Sequence, residues 1–241
     1  MAGSLDRYFT AMAETGRNPG NLRFELSTFF RGIGFENATV LDIGAGDGYA
    51  SLYAAAAGAA RVVGLSPELD GSWKGAASMF ERLRDDLDLK QVVVLRETIQ
   101  DFEPAGELFD VLISRASINH IDEGACMRLR NDADAVERYM TVFEKLARLA
   151  APGAAIVIKD AMPSNFFGAV GRRNPMMPTL EWHKHQPPNV WADLLSKVGF
   201  AQPSIRWTTL NTLRRPGELL FGNRLFSYFT LSTFILTMRR A

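Results

Sequence analysis

The chain has 241 residues, of which 47% are hydrophobic and 22% are charged, and its 20 glycines and 11 prolines are spread along it. This composition is typical of a folded globular protein and excludes disordered, collagen-like and coiled-coil proteins. The length predicts one α/β domain with a sizeable core. Because 27 basic residues balance 27 acidic residues, no net field holds a phosphate backbone, and nucleic acid is not an expected partner.

Cysteine usage and the N-terminal residues predict a cytoplasmic protein. Cys126 is the one cysteine, so an internal disulfide cannot form. Asp6, Arg7 and Glu14 stand where a secretory signal would need an apolar stretch.

The C-terminal part of the chain is strongly basic. Residues 202–241 hold six arginines and one acid, Glu218, which makes this part +5 and the remainder −5. The apolar run from Leu225 to Met238 has 14 residues, whereas a membrane span needs about 20. We therefore expect no transmembrane segment. The part around 211–227 could line a substrate pocket, dimerise or rest on an anionic membrane, and the sequence leaves these alternatives open.

The order of predicted elements is typical of a parallel sheet covered by helices. Residues 1–38 hold two amphipathic stretches and predict a helical cap. Strands are then predicted at Thr39–Ile43, Arg61–Leu65, Gln91–Arg96, Phe109–Ser114, Ala154–Lys159, Ser204–Leu210 and Phe229–Met238. Apolar spacings of three and four residues predict helices at Tyr49–Ala57, Gly71–Leu87, Ala133–Leu149 and Asn189–Val198. The segments 160–188 and 211–227 are longer than connectors require, and we interpret them as insertions over an active site.

The most informative motif is the glycine-rich turn after the first strand. Residues 40–49 read VLDIGAGDGY and predict a strand, a loop and a helix, an arrangement that holds nucleotides. A dinucleotide fingerprint, G-x-G-x-x-G, would need a glycine where Tyr49 stands. Asp42, at the end of the strand, would repel a pyrophosphate but attract an ammonium group. A cationic cofactor is therefore favoured over NAD.

This turn resembles the first motif of the class I S-adenosylmethionine-dependent methyltransferases, D-x-G-x-G-x-G, at Asp42, Gly44, Gly46 and Gly48. The resemblance continues in order along most of the chain, at residues 62–66, 100–102, 108–114, 118–121, 152–153 and 198–200. It implies a Rossmann-like, seven-stranded, mostly parallel sheet with helices on both faces. In this family the last strand is antiparallel and lies between the fifth and the sixth. We expect residues 1–241 to form a single methyltransferase domain.

The resemblance implies S-adenosylmethionine as the cofactor and assigns its contacts. The glycine loop, including Ala45, would surround the methionyl part, and the loop after the third strand would hold the adenine. Ser66 stands where the family usually has an acidic residue for the ribose, and Glu68 is close enough to replace that acid. The adenine and strand-end candidates are Thr98, Ile99, Gln100 and Ser114. Ile99 could instead belong to the core.

Candidates for the acceptor and for catalysis lie near the other predicted strand ends. His120 and His185 are the candidate bases, because an imidazole can take a proton as the methyl group arrives. His120 could equally hydrogen-bond a loop, since methyl transfer does not require a base. Arg115 could hold an acid group of the acceptor or lie exposed on the surface. Aromatic and histidine residues of the 160–188 insertion predict a substrate lid, formed by Phe166, Phe167, Trp182 and His183.

No metal is expected in this site. The magnesium-dependent O-methyltransferases carry acids at the ends of both the fourth and the fifth strand, and here only Asp160 matches. The sequence therefore predicts a metal-free methyltransferase that acts on an oxygen, or less readily a nitrogen, of a small or lipid- or sugar-linked acceptor. The alternatives are a non-catalytic binding partner of the same fold and a nicotinamide-dependent oxidoreductase.

Overall fold

A computed structural model describes residues 2–67 and 74–241 of the chain. The N-terminal part forms helices α1 (Ala2–Glu14) and α2 (Pro19–Phe29). The first half of the sheet then alternates with helices as β1 (Thr39–Ile43), α3 (Tyr49–Ala56), β2 (Arg61–Leu65), α4 (Ala76–Asp86), β3 (Val92–Leu95) and β4 (Phe109–Arg115). The second half comprises α5 (Glu123–Arg128), α6 (Ala133–Leu149), β5 (Ala150–Ala161), α7 (Phe166–Ala169), α8 (Pro188–Lys197), β6 (Phe200–Trp207), α9 (Arg214–Phe221), α10 (Arg224–Phe229) and β7 (Thr233–Arg240).

The strands form a seven-stranded sheet in the order β3-β2-β1-β4-β5-β7-β6. Strand β7 is antiparallel to both of its neighbours, β5 and β6, and the pairs from β3 to β5 are parallel. The predicted Rossmann-like topology, including the antiparallel last strand between the fifth and sixth, is therefore confirmed. Because the parallel strands all end at one edge, the loops that follow β1, β2, β4 and β5 lie together there.

Alternating strand residues face two apolar layers. One layer packs α5, α6 and α8 on the sheet and is centred on residues such as Phe143 and Trp191. The other packs α1, α2, α3 and α4 on the opposite face, with Phe29 and Phe80 fully buried. The two N-terminal helices therefore belong to a core layer of the sheet and are more than a covering cap.

Two strands lie at positions that differ from the predicted ones. The sixth strand was expected at Ser204–Leu210, but β6 begins earlier, at Phe200, and ends at Trp207. The seventh was expected to begin at Phe229, but that residue ends helix α10. Asn223 caps this helix, because its side-chain oxygen accepts a hydrogen bond from the Phe226 N–H at 3.0 Å. The Asn223 cap therefore stabilises a helix that extends into the start of the run predicted as a strand from its β-branched and aromatic residues.

Candidate active site

The glycine loop leaves the end of β1 and turns directly onto the end of β2. Gly44, Gly46 and Gly48 have φ angles of +72°, +57° and +75°, the left-handed region that favours glycine. The Ala45 N–H donates to the Leu65 carbonyl at 2.7 Å, which ties the loop to β2. Helix α3 begins one residue after Gly48, so its N-terminus faces the same space.

The three glycines differ in what a side chain would meet. A Cβ at Gly48 would overlap the ring of Phe80, and one at Gly44 would overlap the side chain of Ser117. A Cβ at Gly46 would have no atom within 4 Å among the described residues. Gly44 and Gly48 are therefore required by packing, whereas Gly46 borders open space into which a ligand can approach the backbone.

Asp42 carries its carboxylate into the interior just below this loop. The residue is 1% exposed, and its Oδ2 accepts a hydrogen bond from the Ser51 hydroxyl at 2.6 Å. Burial raises the pKa of Asp42 to about 6, although the Ser51 hydrogen bond opposes the rise. A cation bound nearby would favour the ionised form, which suits the ammonium group that the sequence predicted at this position.

The predicted ribose position holds a serine that already has a structural hydrogen bond. The Ser66 hydroxyl donates to the Gly46 carbonyl at 2.9 Å, and the residue is 2% exposed. This bond fixes the glycine loop against β2 and leaves only the lone pairs of the serine oxygen for a ligand. Glu68, the predicted substitute for the missing acid, lies outside the described residues.

The predicted adenine residues form a turn after β3. The Thr98 hydroxyl donates to Asp101 Oδ2 at 2.6 Å. Gln100 is held by its side chain and by its backbone. Its side-chain Nε2 donates to the Ile121 carbonyl at 2.8 Å, and its backbone carbonyl accepts a hydrogen bond from Lys145 Nζ. Ile99 is 3% exposed and lies in the core layer beneath α6, so only its backbone is available to a ligand.

The end of β4 is joined to the glycine loop by two serines. The Ser117 hydroxyl donates to the Ile43 carbonyl at 2.5 Å, and the Ser114 and Ser117 oxygens are 2.8 Å apart. Because the Ser117 hydroxyl proton is donated to the Ile43 carbonyl, the Ser114 hydroxyl is the donor to the Ser117 oxygen. Both residues are buried. Ser114 therefore stabilises the junction between the two strand ends.

A buried charge cluster at the ends of β4 and β5 was not predicted. Glu25 of α2 accepts hydrogen bonds from Lys159 at 2.8 Å and from Arg115 at 3.2 Å on the same oxygen, Oε1. The Tyr49 hydroxyl donates to this oxygen at 3.2 Å, and the Asn211 amide donates to Oε2 at 2.9 Å. The guanidinium of Arg115 also lies over the Tyr49 ring, 4.6 Å from its centroid. One helix is thus tied to two strand ends and to the start of the 211–227 insertion.

The sequence held a signal for this cluster. Glu25 follows Leu22 by three residues and precedes Phe29 by four, so it lies on the buried stripe of α2. A single acid on an apolar stripe indicates a buried cation partner. The predicted alternatives for Arg115, an acceptor contact or an exposed arginine, did not include this role: the side chain is paired with Glu25 and is only 34% exposed.

The two candidate bases have different surroundings. His120 is on the surface, with its side chain 53% exposed, and its Nδ1 lies 2.5 Å from Glu123 Oε1. The pKa of Glu123 is lowered by hydrogen bonds from Lys184 and from His120. His185 is 4% exposed, and its Nδ1 lies 2.8 Å from Oδ1 of Asp160 near the end of β5.

The Asp160–His185 pair is supported by a buried polar layer on the α5 side. The carboxylate can only accept, so the proton of the neutral ring is on Nδ1 and the lone pair is on Nε2. The Cys126 thiol donates to the Lys184 carbonyl at 3.3 Å, and Gln186 Nε2 donates to the Cys126 carbonyl at 2.6 Å. Burial raises the pKa of Cys126 to about 12, so it is a structural thiol and not a nucleophile.

The predicted lid residues are divided between two short elements of the 160–188 insertion. Phe166 and Phe167 begin α7, and the Phe166 ring packs on Phe229 of α10 with centroids 5.2 Å apart. Trp182 and His183 belong to a short 3₁₀ turn, in which Trp182 is half-buried and His183 is exposed. The 160–188 segment therefore contacts α10, a helix that begins within the 211–227 segment and ends just beyond it, through the Phe166–Phe229 ring pair.

A family model described as a methyltransferase domain matches residues 16–204. The chain belongs to this methyltransferase family. No curated protein sequence matches the chain. Within residues 2–67 and 74–241, no helix combines the length and apolar character needed to cross a bilayer, and no three or more His, Cys, Asp or Glu side chains are grouped so that they could hold a metal ion.

Solved structures of methyltransferases share the fold at low sequence identity. A proposed S-adenosylmethionine-dependent methyltransferase from Listeria monocytogenes has a TM-score of 0.62 at 16% identity, covering 92% of this chain and 97% of that one. An S-adenosylmethionine-dependent methyltransferase from Aquifex aeolicus has 0.60 at 15% identity, covering 95% and 96%. Magnesium protoporphyrin IX methyltransferase from Synechocystis, solved with bound S-adenosylmethionine, has 0.53 at 14% identity, covering 92% and 79%.

The methyltransferase is an enzyme whose cofactor is S-adenosylmethionine. The residues at the strand ends fit that group. The open space at Gly46 admits a ligand against the backbone, and the buried Asp42 carboxylate suits the ammonium group of the methionyl part. The cofactor supplies an electrophilic methyl group on its sulfonium and leaves as S-adenosylhomocysteine.

Proposed function

We propose that this methyltransferase methylates an oxygen of a small or lipid- or sugar-linked acceptor, with His185 as the base and Asp160 as its positioning residue. The observation that carries the proposal is the 2.8 Å contact between His185 Nδ1 and the buried Asp160 carboxylate. The contact holds the ring in the tautomer whose Nε2 can accept a proton. A hydroxyl needs such a proton acceptor, because its oxygen is a much better nucleophile when the proton leaves as the methyl arrives.

The proton and the methyl group move in opposite directions in this step. The acceptor oxygen forms a bond to the methyl carbon, the bond from sulfur to that carbon breaks, and the hydroxyl proton passes to His185 Nε2. Asp160 stabilises the imidazolium that results, because its carboxylate is adjacent and desolvated. His120 is the second candidate for this role, with Glu123 in place of Asp160, but its exposed ring is screened by water.

The proposed acceptor pocket lies over the strand ends, between the 160–188 and 211–227 insertions. The aromatic contact of Phe166 with Phe229 supports this location, because Phe229 ends α10, the helix that begins within the 211–227 insertion. Phe166, Phe167, Trp182 and His183 would supply walls that exclude water from the reacting atoms. Arg115 would reach an acid group of the acceptor only together with Glu25, to which it is bonded.

The test compares the two histidines in a turnover assay. Formation of S-adenosylhomocysteine is followed against a panel of phenols, sugars, isoprenoid alcohols and amines. We expect a hydroxyl acceptor to be consumed. His185→Gln should lower kcat about 100-fold or more and remove the acidic limb of the pH profile, and His120→Gln serves as the matched control. Calorimetry with S-adenosylhomocysteine checks that both variants keep the cofactor site.

Four results would contradict parts of this proposal. Consumption of an amine in preference to every hydroxyl would reject the acceptor class. A His185→Gln variant with unchanged kcat and an intact pH profile would reject the base. Cofactor binding without turnover of any acceptor would favour a non-catalytic partner of the same fold. Trp182→Ala should raise the acceptor KM while S-adenosylhomocysteine affinity stays constant, and an effect on cofactor affinity alone would reject the lid.

A further inference from the structure

Helices α9 and α10 display large apolar side chains that nothing in the described chain covers. Leu219 is 87% exposed, Leu220 is 68% exposed and Leu225 is 71% exposed. Leucines are usually buried, and a cluster of exposed ones marks an interaction surface. At 87% exposure Leu219 projects from the surface and does not line a groove.

Five arginines lie on the same two helices or beside them. Arg214, Arg215 and Arg224 belong to α9 and α10, and Arg172 and Arg173 follow α7, which packs on α10. Asn174 fixes the latter pair near α10, because its amide donates to the Thr230 carbonyl at 2.6 Å. All five arginines are exposed. We call the three leucines and five arginines together the basic–apolar patch.

The patch has almost no compensating negative charge. None of its arginines pairs with a carboxylate in the part of the chain that the structure describes. Glu218 is the one acid in residues 161–180 and 211–230. It forms an ion pair with Arg31, which lies just after α2, and its side chain is 22% exposed. The patch therefore presents a charge of +5 around projecting apolar groups.

We infer that the basic–apolar patch docks this methyltransferase on an anionic phospholipid surface. At such a surface the leucines enter the boundary of the acyl chains while the arginines remain at the level of the phosphates. A second copy of the chain is a poorer occupant, because a two-fold interface would place the arginines of one copy against those of the other. A flat protein surface would need a matched pocket for each projecting leucine.

Docking in this way would place the edge of the proposed acceptor site beside the membrane. Glu218 precedes Leu219 and lines a small recess with Lys159, Asn211 and Trp207, next to the end of β5. The inference about docking depends on exposure and charge and not on the proposed base, so either can fail without the other. A membrane location would favour the lipid-linked acceptors within the proposed substrate class.

The test is sedimentation of the full chain with vesicles of phosphatidylcholine alone or of phosphatidylcholine with 30–40% phosphatidylglycerol (roughly the anionic content that attracts basic segments). We expect binding to the anionic vesicles, weak binding to the neutral ones, and loss of binding when salt is raised to about 0.5 M. Leu219→Ser should weaken binding about tenfold, because an inserted apolar side chain is lost. Leu108→Ser is its control, since Leu108 is 47% exposed at the opposite edge of the sheet, before β4.

A second pair of variants separates charge from general surface effects. Arg215→Gln/Arg224→Gln should weaken binding to anionic vesicles by about tenfold or more, whereas Arg130→Gln/Arg148→Gln removes two exposed arginines elsewhere and should not. All four variants change exposed side chains, so their melting temperatures should match the wild type. Equal binding of the patch and control variants would overturn the inference, as would failure of the wild type to bind anionic vesicles. A dimer that dissociates on Leu219→Ser, without vesicle binding, would also overturn it and would identify a second copy as the occupant.

Discussion

Glu25 is predicted to contribute more to stability than any exposed ion pair, because it is a buried carboxylate that faces two cations. Its side chain is 13% exposed, and it bonds to both Lys159 and Arg115. Burial alone would raise its pKa, but the charges and hydrogen bonds of Lys159 and Arg115 outweigh burial and lower the pKa of Glu25 from 4.5 to about 2. At ~1.4 kcal/mol per pKa unit this shift corresponds to about 3 kcal/mol of folding free energy.

The perturbation that tests this value is Glu25→Gln, which keeps the shape of the side chain and removes its charge. It leaves Arg115 and Lys159 near each other without a counter-ion, so we expect the free energy of unfolding to fall by about 3 kcal/mol at pH 7. Glu144→Gln is the control, because Glu144 is exposed on α6 and forms no ion pair among the described residues. That variant should stay within about 0.5 kcal/mol of the wild type.

The direction of the Glu25 pKa shift predicts how its contribution to stability changes with pH. A carboxyl whose pKa is lowered by folding stabilises the folded state above its unfolded pKa, and this contribution is lost as pH falls through the folded value. The difference between wild type and Glu25→Gln in urea unfolding should therefore be full at pH 7 and shrink from about pH 5 toward pH 2. Burial lowers the pKa of Lys159 and Glu25 counteracts it, so the variant should also lose the Lys159 proton more readily. A difference below about 1 kcal/mol that does not change with pH would refute the reasoning.

The remaining predictions concern the cofactor loop. Gly46→Ala and Gly48→Ala both place a Cβ on left-handed backbone, but only the Cβ at Gly48 overlaps Phe80. Gly46→Ala should therefore weaken S-adenosylhomocysteine binding in calorimetry with the smaller fall in melting temperature, whereas Gly48→Ala should lower the melting temperature by several degrees more; the reverse pattern would contradict the assignment. Asp42 has a pKa of about 6 in the free protein, so S-adenosylhomocysteine affinity should fall as pH drops below 6, and Asp42→Asn should weaken binding and remove that dependence; an unchanged pH profile would exclude Asp42 as the ammonium partner. Turnover should be unaffected by a chelator, and activity restored by magnesium would overturn this.

Local sequence was sufficient to predict the elements that carry their own signals. The strand β1 and the helix α6 have the predicted boundaries, because an apolar run or a regular helical stripe is decided by neighbours in the chain. The three left-handed glycines also follow from residues 44–48 alone, since the turn needs conformations that other residues avoid. The sheet topology, with its antiparallel last strand, was implied by the resemblance to the class I methyltransferases that the ordered motifs carry.

Only the tertiary structure decided which polar side chains meet. Glu25 and Lys159 are 134 positions apart, and they bond because α2 packs across the ends of β4 and β5. His185 was a candidate by its residue type and its place in the 160–188 insertion, whereas its contact with Asp160 depends on how that insertion folds back on β5. The exposure of Leu219, Leu220 and Leu225 could not be predicted from the sequence either, because leucines at such spacing are equally typical of a buried helix face. Burial and pairing are properties of the packed chain, and a short stretch of sequence does not contain the neighbours that create them.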